Sequence, residues 1–248
     1  MIKVTLNGSN GKMGRVLSKV IHESNEFELV TGISRSISSL NTYSSFDELS
    51  EASDVIIDFS HPTQLLPMLN YCKKHHVPVV IATTGYSDEE LRIIHEAGAY
   101  IPVFYSPNMS LGVNLLLELV SKATVVLEDQ FDIEIIERHH NKKIDAPSGT
   151  ALLIANTINR LLENQKSLVY SRQDKKVARD PSEIGIMCLR GGTIVGEHEV
   201  VYIGNDEIIE IKHTALSKEI FAYGALRAAK FIIKQNPGYY GMKDMLKE

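Results

Sequence analysis

The sequence predicts an α/β protein: a doubly wound parallel sheet, then a second α+β domain carrying a mixed sheet. Three observations predict it. A short apolar strand runs into a glycine turn and an apolar-periodic helix at the N-terminus. Apolar runs of strand length then alternate with helical patterns as far as about residue 107. Beyond that point the alternation stops, and strands follow one another with short polar links.

Residues 2–6 (IKVTL) read as the first strand. Gly8, Gly11 and Gly14 follow, and from Met13 the apolar positions Val16, Leu17, Val20 and Ile21 fall at helical spacing. Residues 27–33 (FELVTGI) are the second strand, which completes one right-handed crossover unit. Residues 54–59 (DVIIDF) are near-continuously apolar, as a parallel strand covered on both faces is. A helix over 62–75 and a strand over 77–83 (VPVVIAT) come next. Ser87 and Glu90 form a capping box that opens a further helix, and 101–106 (IPVFYS) is another strand. Residues 111–127 predict one long helix, and 131–139 (FDIEIIERH) alternate as a half-buried strand. A helix that begins somewhere between Asp145 and Thr150 runs to about Glu163. Strands around 184–190, 193–203 and 207–213 are joined by Gly191-Gly192 and by Gly204-Asn205-Asp206, which implies an antiparallel or mixed sheet. A last helix over about 218–235 stops before Asn236-Pro237-Gly238.

Composition excludes several classes. With 248 residues and 44% apolar content the chain can bury a substantial core. The net charge of −5, with no block of like charges, gives no footprint for nucleic acid. Cys72 and Cys188 lie far apart, which argues against a disulfide framework or a thiolate metal site. Both are read as small buried hydrophobes in a reducing compartment. The N-terminal MIKVTLNGSNGKMG turns polar at Asn7, unlike a signal peptide, and no window is apolar enough to span a bilayer. A cytoplasmic protein with no membrane and no nucleic-acid partner is expected.

The glycine turn has the spacing GxxGxxG, a weak pattern made stronger by its strand-turn-helix context. Gly8, Ser9, Asn10, Gly11, Lys12 and Met13 are expected to face a dinucleotide pyrophosphate, as in a Rossmann-type domain. The alternative is a plain tight turn. After the second strand comes Gly32-Ile33-Ser34-Arg35-Ser36, with no acid for a ribose 2′-hydroxyl. Arg35 suits a 2′-phosphate, with Ser34 and Ser36 as donors, so NADPH is favoured over NADH. Otherwise Arg35 is a surface arginine. Ala82, Thr83 and Thr84, and then Ser106, Pro107, Asn108 and Met109, follow predicted parallel strands and suit a nicotinamide ribose and carboxamide. The bland reading of both segments is an ordinary loop.

Residues 137–151 read ERHHNKKIDAPSGTA. The strand delivers His139 and His140 to its end, and Lys143 follows. Ser148, Gly149 and Thr150 open the next helix, whose free N–H groups and dipole attract an anion. With Lys143 and His140 they make a carboxylate site, and His139 can donate a proton near neutral pH. Against this, Lys142 reads as a solvated charge, and one histidine of the pair can be structural. A metal site fits poorly, because adjacent strand residues point to opposite faces.

GxxGxMG together with residues 137–151 resembles the 4-hydroxy-tetrahydrodipicolinate reductase (dihydrodipicolinate reductase) family of bacterial lysine biosynthesis. Every specified position of the pattern E-x-H-H-x-x-K-x-D-A-P-S-G-T-A matches. IDFSHP, ATTG, SPNMSLGVN, LRGGTIVGEH and FAYGALRAAKFI follow in the family's order along the whole chain. The resemblance implies that NAD(P)H reduces a cyclic imine dicarboxylate, with hydride going to C4 and the 4-hydroxyl leaving as water, in the diaminopimelate route. It implies His139 as proton donor or acceptor, Lys143 as a second donor, and His140, Gly149 and Thr150 at the substrate carboxylates. It also implies a homotetramer built through the second domain's sheet, with the last helix packed back on the cofactor domain. The expected division is therefore a dinucleotide-binding domain over 1–107 with 217–248, and a substrate-binding and oligomerisation domain over 108–216. Two departures stand out. Ser34 replaces an acid that often precedes Arg35, which weakens the case for NADH. Lys218 stands where the family has arginine, so no substrate role is carried onto it.

Two other classes compete. A regulatory module binding NADP without turnover needs the glycine turn but not the His-His-Lys cluster. An acylating aldehyde dehydrogenase needs a nucleophilic cysteine, and neither Cys72 nor Cys188 falls in an evident turn.

Overall fold

The computed structural model describes residues 1–35, 42–49, 53–127, 130–163, 165–173 and 176–247. In chain order the elements begin with β1 (Ile2–Asn7), α1 (Lys12–His22), β2 (Phe27–Ile33), β3 (Thr42–Tyr43), β4 (Val55–Asp58), α2 (Leu65–His75), β5 (Val79–Ile81), α3 (Asp88–Ala97) and β6 (Pro102–Tyr105). They continue with α4 (Leu111–Leu127), β7 (Asp132–His139), α5 (Gly149–Leu161), β8 (Ser167–Val169), β9 (Glu183–Arg190), β10 (Gly196–Ile203) and β11 (Ile208–Ala215). The chain ends with α6 (Glu219–Ile232), β12 (Gly238–Tyr240) and α7 (Met242–Met245). Two compact units result: Met1–Leu111 with Lys218–Glu248, and Gly112–Ser217.

The first unit is a Rossmann-type parallel sheet in the order β12-β6-β5-β4-β1-β2-β3. β4 and β5 are buried along their whole length, which is why they read as unbroken apolar runs. One face packs on α1 and α6 through Leu17, Val20, Ile21, Ala225, Ala229 and Ile232; the other packs on α2 and α3 through Leu65, Met68, Leu69 and Ile94. α6 approaches closely because it presents small residues, and a side chain at Gly224 would strike the carbonyl of Met109. α3 opens on the expected capping box: the Ser87 hydroxyl accepts from Glu90 N at 3.3 Å, and Ser87 N donates to Glu90 at 2.7 Å. The predicted helix over 62–75 opens with a 3₁₀ turn at Pro62–Gln64, capped by His61, before α2 begins. β12 adds an edge strand that the sequence reading missed, since three residues after Pro237 resemble a turn.

The second unit is a mixed sheet in the order β11-β10-β7-β9-β8. β7 runs parallel to β9 and antiparallel to β10. Gly191-Gly192 is therefore not a hairpin: the chain steps over the end of β7. β10 and β11 do form a hairpin, with Gly204 N donating to Glu207 O at 2.9 Å. The inner face holds Ile133, Ile135, Ile184, Ile186, Val200 and Tyr202, covered by Leu116 and Val120 of α4 and by Ile154 and Ile158 of α5. The cysteine reading needs one correction: Cys72 is fully buried, but Cys188 is exposed, because it lies on β9 beyond this apolar half.

Candidate active site

In the first unit, β1 and β2 lie to one side of the point where strand order reverses, and β4 lies to the other. Ligands of open α/β sheets bind at such a point, at the carboxyl ends of the strands. A cavity of about 380 Å³ lies there, lined by Asn7, Gly8, Asn10, Gly11, Ser34 and Arg35, and by Phe59, Ser60, His61, Thr63 and Gln64. Gly8 has φ +85° and faces the carbonyl of Phe59, so only glycine fits. A methyl on Gly14 would strike the carbonyls of Gly8 and Ser9; this third glycine is required by the turn itself rather than by the strand.

Not every expected cofactor residue lines the cavity. Ser9 is buried and its hydroxyl donates to Ile33 O at 3.4 Å, while Lys12 is exposed and Met13 half-buried. Ala82 and Thr83 are buried and Thr84 exposed, just past β5. The Ser106 hydroxyl donates to Asn108 O at 2.7 Å, Pro107 is exposed, and Met109 belongs to the core. Ser36 lies outside the described residues.

The sequence reading gave no role to Asp58, the buried hub behind this cavity. Its Oδ1 accepts from Asn7 Nδ2 at 2.8 Å and from Ser60 Oγ at 2.5 Å, and Tyr86 OH donates to Oδ2 at 3.3 Å. Ser60 N also donates to Thr83 Oγ1 at 2.8 Å. These bonds join the ends of β1, β4 and β5. Burial raises the Asp58 pKa, and the hydrogen bonds only oppose that rise.

In the second unit, β7 alternates strictly, so Glu137 and His139 face the same side as Ile133 and Ile135. Their cross-strand neighbours are Cys188 and Arg190 on β9, and His198 on β10 stands beside Glu137. The inner face thus passes from an apolar half to a polar half along the same strands. α5 starts over the polar half: Ser148 caps it by accepting from Ala151 N at 3.2 Å. The Ser148 hydroxyl also meets His198 Nε2 at 2.9 Å, and Ser148 N donates to Glu137 Oε1 at 3.1 Å.

Glu137 is fully buried. Arg190 grips it at both ends, with Nη1 to Oε2 at 2.8 Å and Nη2 to Oε1 at 2.7 Å, and His139 Nδ1 lies 2.5 Å from Oε2. Burial pushes the Glu137 carboxyl up, but the hydrogen bonds from Arg190 and His139 outweigh it and carry the pKa down to about 2. Burial lowers the pKa of His139, partly opposed by Glu137. Burial first, then the charge of His139, pushes His198 down to about 4, so it is neutral at pH 7. Lys143 Nζ donates to both Asp145 oxygens, at 2.8 and 2.7 Å. His140 is half-buried, and its Nδ1 is buried without a hydrogen-bond partner among the described residues. Gly149 is exposed with open space where a side chain would stand, and Thr150 is half-buried behind it. Burial and Glu137 push the Cys188 thiol up to about 11, and burial likewise raises Cys72, the wrong direction for a nucleophile.

The expected His139, Lys143 and Ser148 thus gather at one end of the second sheet. Glu137, Arg190 and His198 complete the cluster without having been assigned a role from sequence. The period-2 reading of residues 131–139 already placed Glu137 beside His139; Arg190 and His198 arrive only through strand pairing. No group of metal-binding residues occurs among the described residues, and none of their helices is long and apolar enough to cross a membrane.

Comparison with known proteins breaks the chain at the same point near residue 111, with residues 218–246 of the first unit taken in by the second match. Residues 2–109 match the family model for the dihydrodipicolinate reductase N-terminus, and residues 112–246 match that for its C-terminus. The chain is 51% identical to a 4-hydroxy-tetrahydrodipicolinate reductase of Caldanaerobacter subterraneus subsp. tengcongensis, covering 100% of this chain and 99% of the relative. It is 45% identical to the protein of that name from Clostridium novyi, again over 100% and 99%. A structure of dipicolinate-bound dihydrodipicolinate reductase from Paenisporosarcina sp. TG-14 shares the fold, with a TM-score of 0.83 at 23% identity over 98% of this chain and 99% of that one.

Proposed function

The chain belongs to the dihydrodipicolinate reductase family, and we propose that it reduces 4-hydroxy-tetrahydrodipicolinate to tetrahydrodipicolinate, with NADPH as the favoured hydride donor. The observation that carries this reading is the buried Glu137–His139 pair beside Lys143 and the open backbone of Gly149. A dicarboxylate needs cations and N–H donors; Lys143 offers the first, and the exposed backbone of Gly149 at the positive end of α5 offers the second. In this reading His140, Lys143, Gly149 and Thr150 hold the carboxylates, Ser148 caps the helix behind them with its N–H on Glu137 and its hydroxyl against His198, and the substrate competes with Asp145 for the Lys143 ammonium. The bound cofactor supplies hydride to C4. The 4-hydroxyl leaves as water and so takes up one proton, delivered by His139 or Lys143. The first unit is the dinucleotide-binding part, holding the pyrophosphate at Gly8–Met13 and the nicotinamide half along Ala82–Thr84 and Ser106–Met109. Arg35, exposed at the cavity rim, pairs with the 2′-phosphate and leaves NADH the weaker donor.

The second unit binds substrate and assembles the oligomer. Its sheet carries exposed Leu189, Ile203 and Ile208 on the face away from Glu137, which supports a homotetramer formed through that sheet. A cytoplasmic location in the diaminopimelate route to lysine goes with this activity. Lys143→Ala tests the assignment. Turnover is expected to fall about 100-fold or more with the circular dichroism spectrum unchanged. Normal turnover in that variant would sink the reading.

A further inference from the structure

We infer that Glu137, gripped by Arg190, is the positioning residue that keeps the His139 proton on Nδ1 and makes Nε2 the atom through which the catalytic proton passes. The inference rests on the proposed function and deepens it. Its basis is an inventory of donors. An ionised carboxylate only accepts. Glu137 Oε2 lies 2.5 Å from His139 Nδ1, so that nitrogen carries the hydrogen. Arg190 donates to both oxygens and Ser148 N to Oε1, which fixes the carboxylate plane.

An ion pair with a fully buried carboxylate is weak evidence for stability, because desolvation offsets its attraction. Orientation of a neighbour is the better account of its presence. With Nδ1 engaged, Nε2 is the remaining ring nitrogen. A side chain on Gly196 would come within 3.0 Å of Nε2, so glycine there leaves that atom uncrowded. The groups around the dyad are Cys188 and Arg190 of β9, His198 of β10, Lys143 and Asp145 of the loop, and Ser148 of α5. The Nε2 of His198 is engaged by Ser148.

The proton balance is simple. The Nε2–H bond of an imidazolium breaks, an O–H bond forms on the departing hydroxyl, and the ring is left neutral with its Nδ1 hydrogen on Glu137. Solvent then restores the Nε2 proton. The same carboxylate holds Ser148 N, so the proton donor and the anion-binding start of α5 share one anchor.

The test is ¹⁵N NMR of the histidine rings together with pH profiles of kcat. The wild-type protein is expected to show the Nδ1–H tautomer for His139. In Glu137→Gln the amide NH₂ faces the ring, which is expected to switch to Nε2–H. Turnover is expected to fall about 100-fold, with KM changing far less. Glu137 favours the imidazolium, so the limb where activity falls with rising pH should move to lower pH in this variant. Glu137→Asp should recover part of the rate. An Nε2–H tautomer in the wild type would overturn the inference, and that spectrum needs no variant to fold. An unchanged tautomer and an unchanged limb in Glu137→Gln would overturn it equally. Full turnover in His139→Ala would instead remove the functional reading, whatever the tautomer.

Discussion

Acid should loosen the second unit through His198, and the size of the effect follows from its burial. The ring is 5% exposed and sits beside His139, and its pKa falls from 6.5 to about 4. The folded chain therefore holds it neutral where the unfolded chain takes up a proton. The stability it contributes is fully present above about pH 6.5 and is lost as pH falls toward 4. Between pH 7.5 and pH 5 the loss works out at about 2 kcal/mol. Glu137 acts in the same direction but lower, since its pKa falls from 4.5 to about 2. Its contribution is present above 4.5 and is lost only below that, so pH 5 isolates the histidines. His139 and His213 are also shifted down, mainly by burial, and remain in the comparison chain. The perturbation is His198→Gln, whose amide can keep a hydrogen bond with the Ser148 hydroxyl in either direction. Urea unfolding followed by circular dichroism at the two pH values gives the readout. The wild type should lose about 2 kcal/mol more than the variant, a difference of about 1 M in midpoint. Equal losses in both chains would refute the burial argument.

Ser148→Ala removes the α5 cap and strands His198 Nε2; about 1 kcal/mol for the cap and 1–3 for the buried ring nitrogen give an expected fall in Tm of about 5–15 °C, read by calorimetry. Ser148→Thr keeps the hydroxyl and should lose much less. Arg35→Ala should raise KM for NADPH about 10- to 100-fold, the worth of a charge-assisted bond, and leave KM for NADH nearly unchanged. Gly14→Ala drives a methyl into the carbonyls of Gly8 and Ser9, costing about 1–3 kcal/mol and weakening cofactor binding in a fluorescence titration.

Much of this was legible in the chain, for reasons that can be named. β2 and α4 begin and end at the predicted residues because their signals are local: apolar runs closed by polar turns. The turn at Gly8 was legible because its positive φ restricts the residue type. The order β10-β7-β9 was not. Short links suggest neighbours, yet β7 sits between two strands joined by Gly191-Gly192, and no local signal reports that insertion. Arg190 and His198 were missed for the same reason, since each meets Glu137 only through long-range pairing. Asp58 read as the end of an apolar strand; its partners come from elsewhere, Asn7 from the end of β1 and Tyr86 from the loop before α3. Glu137 could have been found, because alternation alone puts it on the His139 face.

The most direct test of the central claim is turnover itself. Pyruvate and aspartate semialdehyde are condensed by the preceding synthase, this protein is added, and the absorbance of NADPH and of NADH is followed in separate runs. Rapid NADPH oxidation that depends on the condensation product is expected, with a slower NADH rate. No oxidation of either cofactor by a protein that still binds NADPH would contradict that claim.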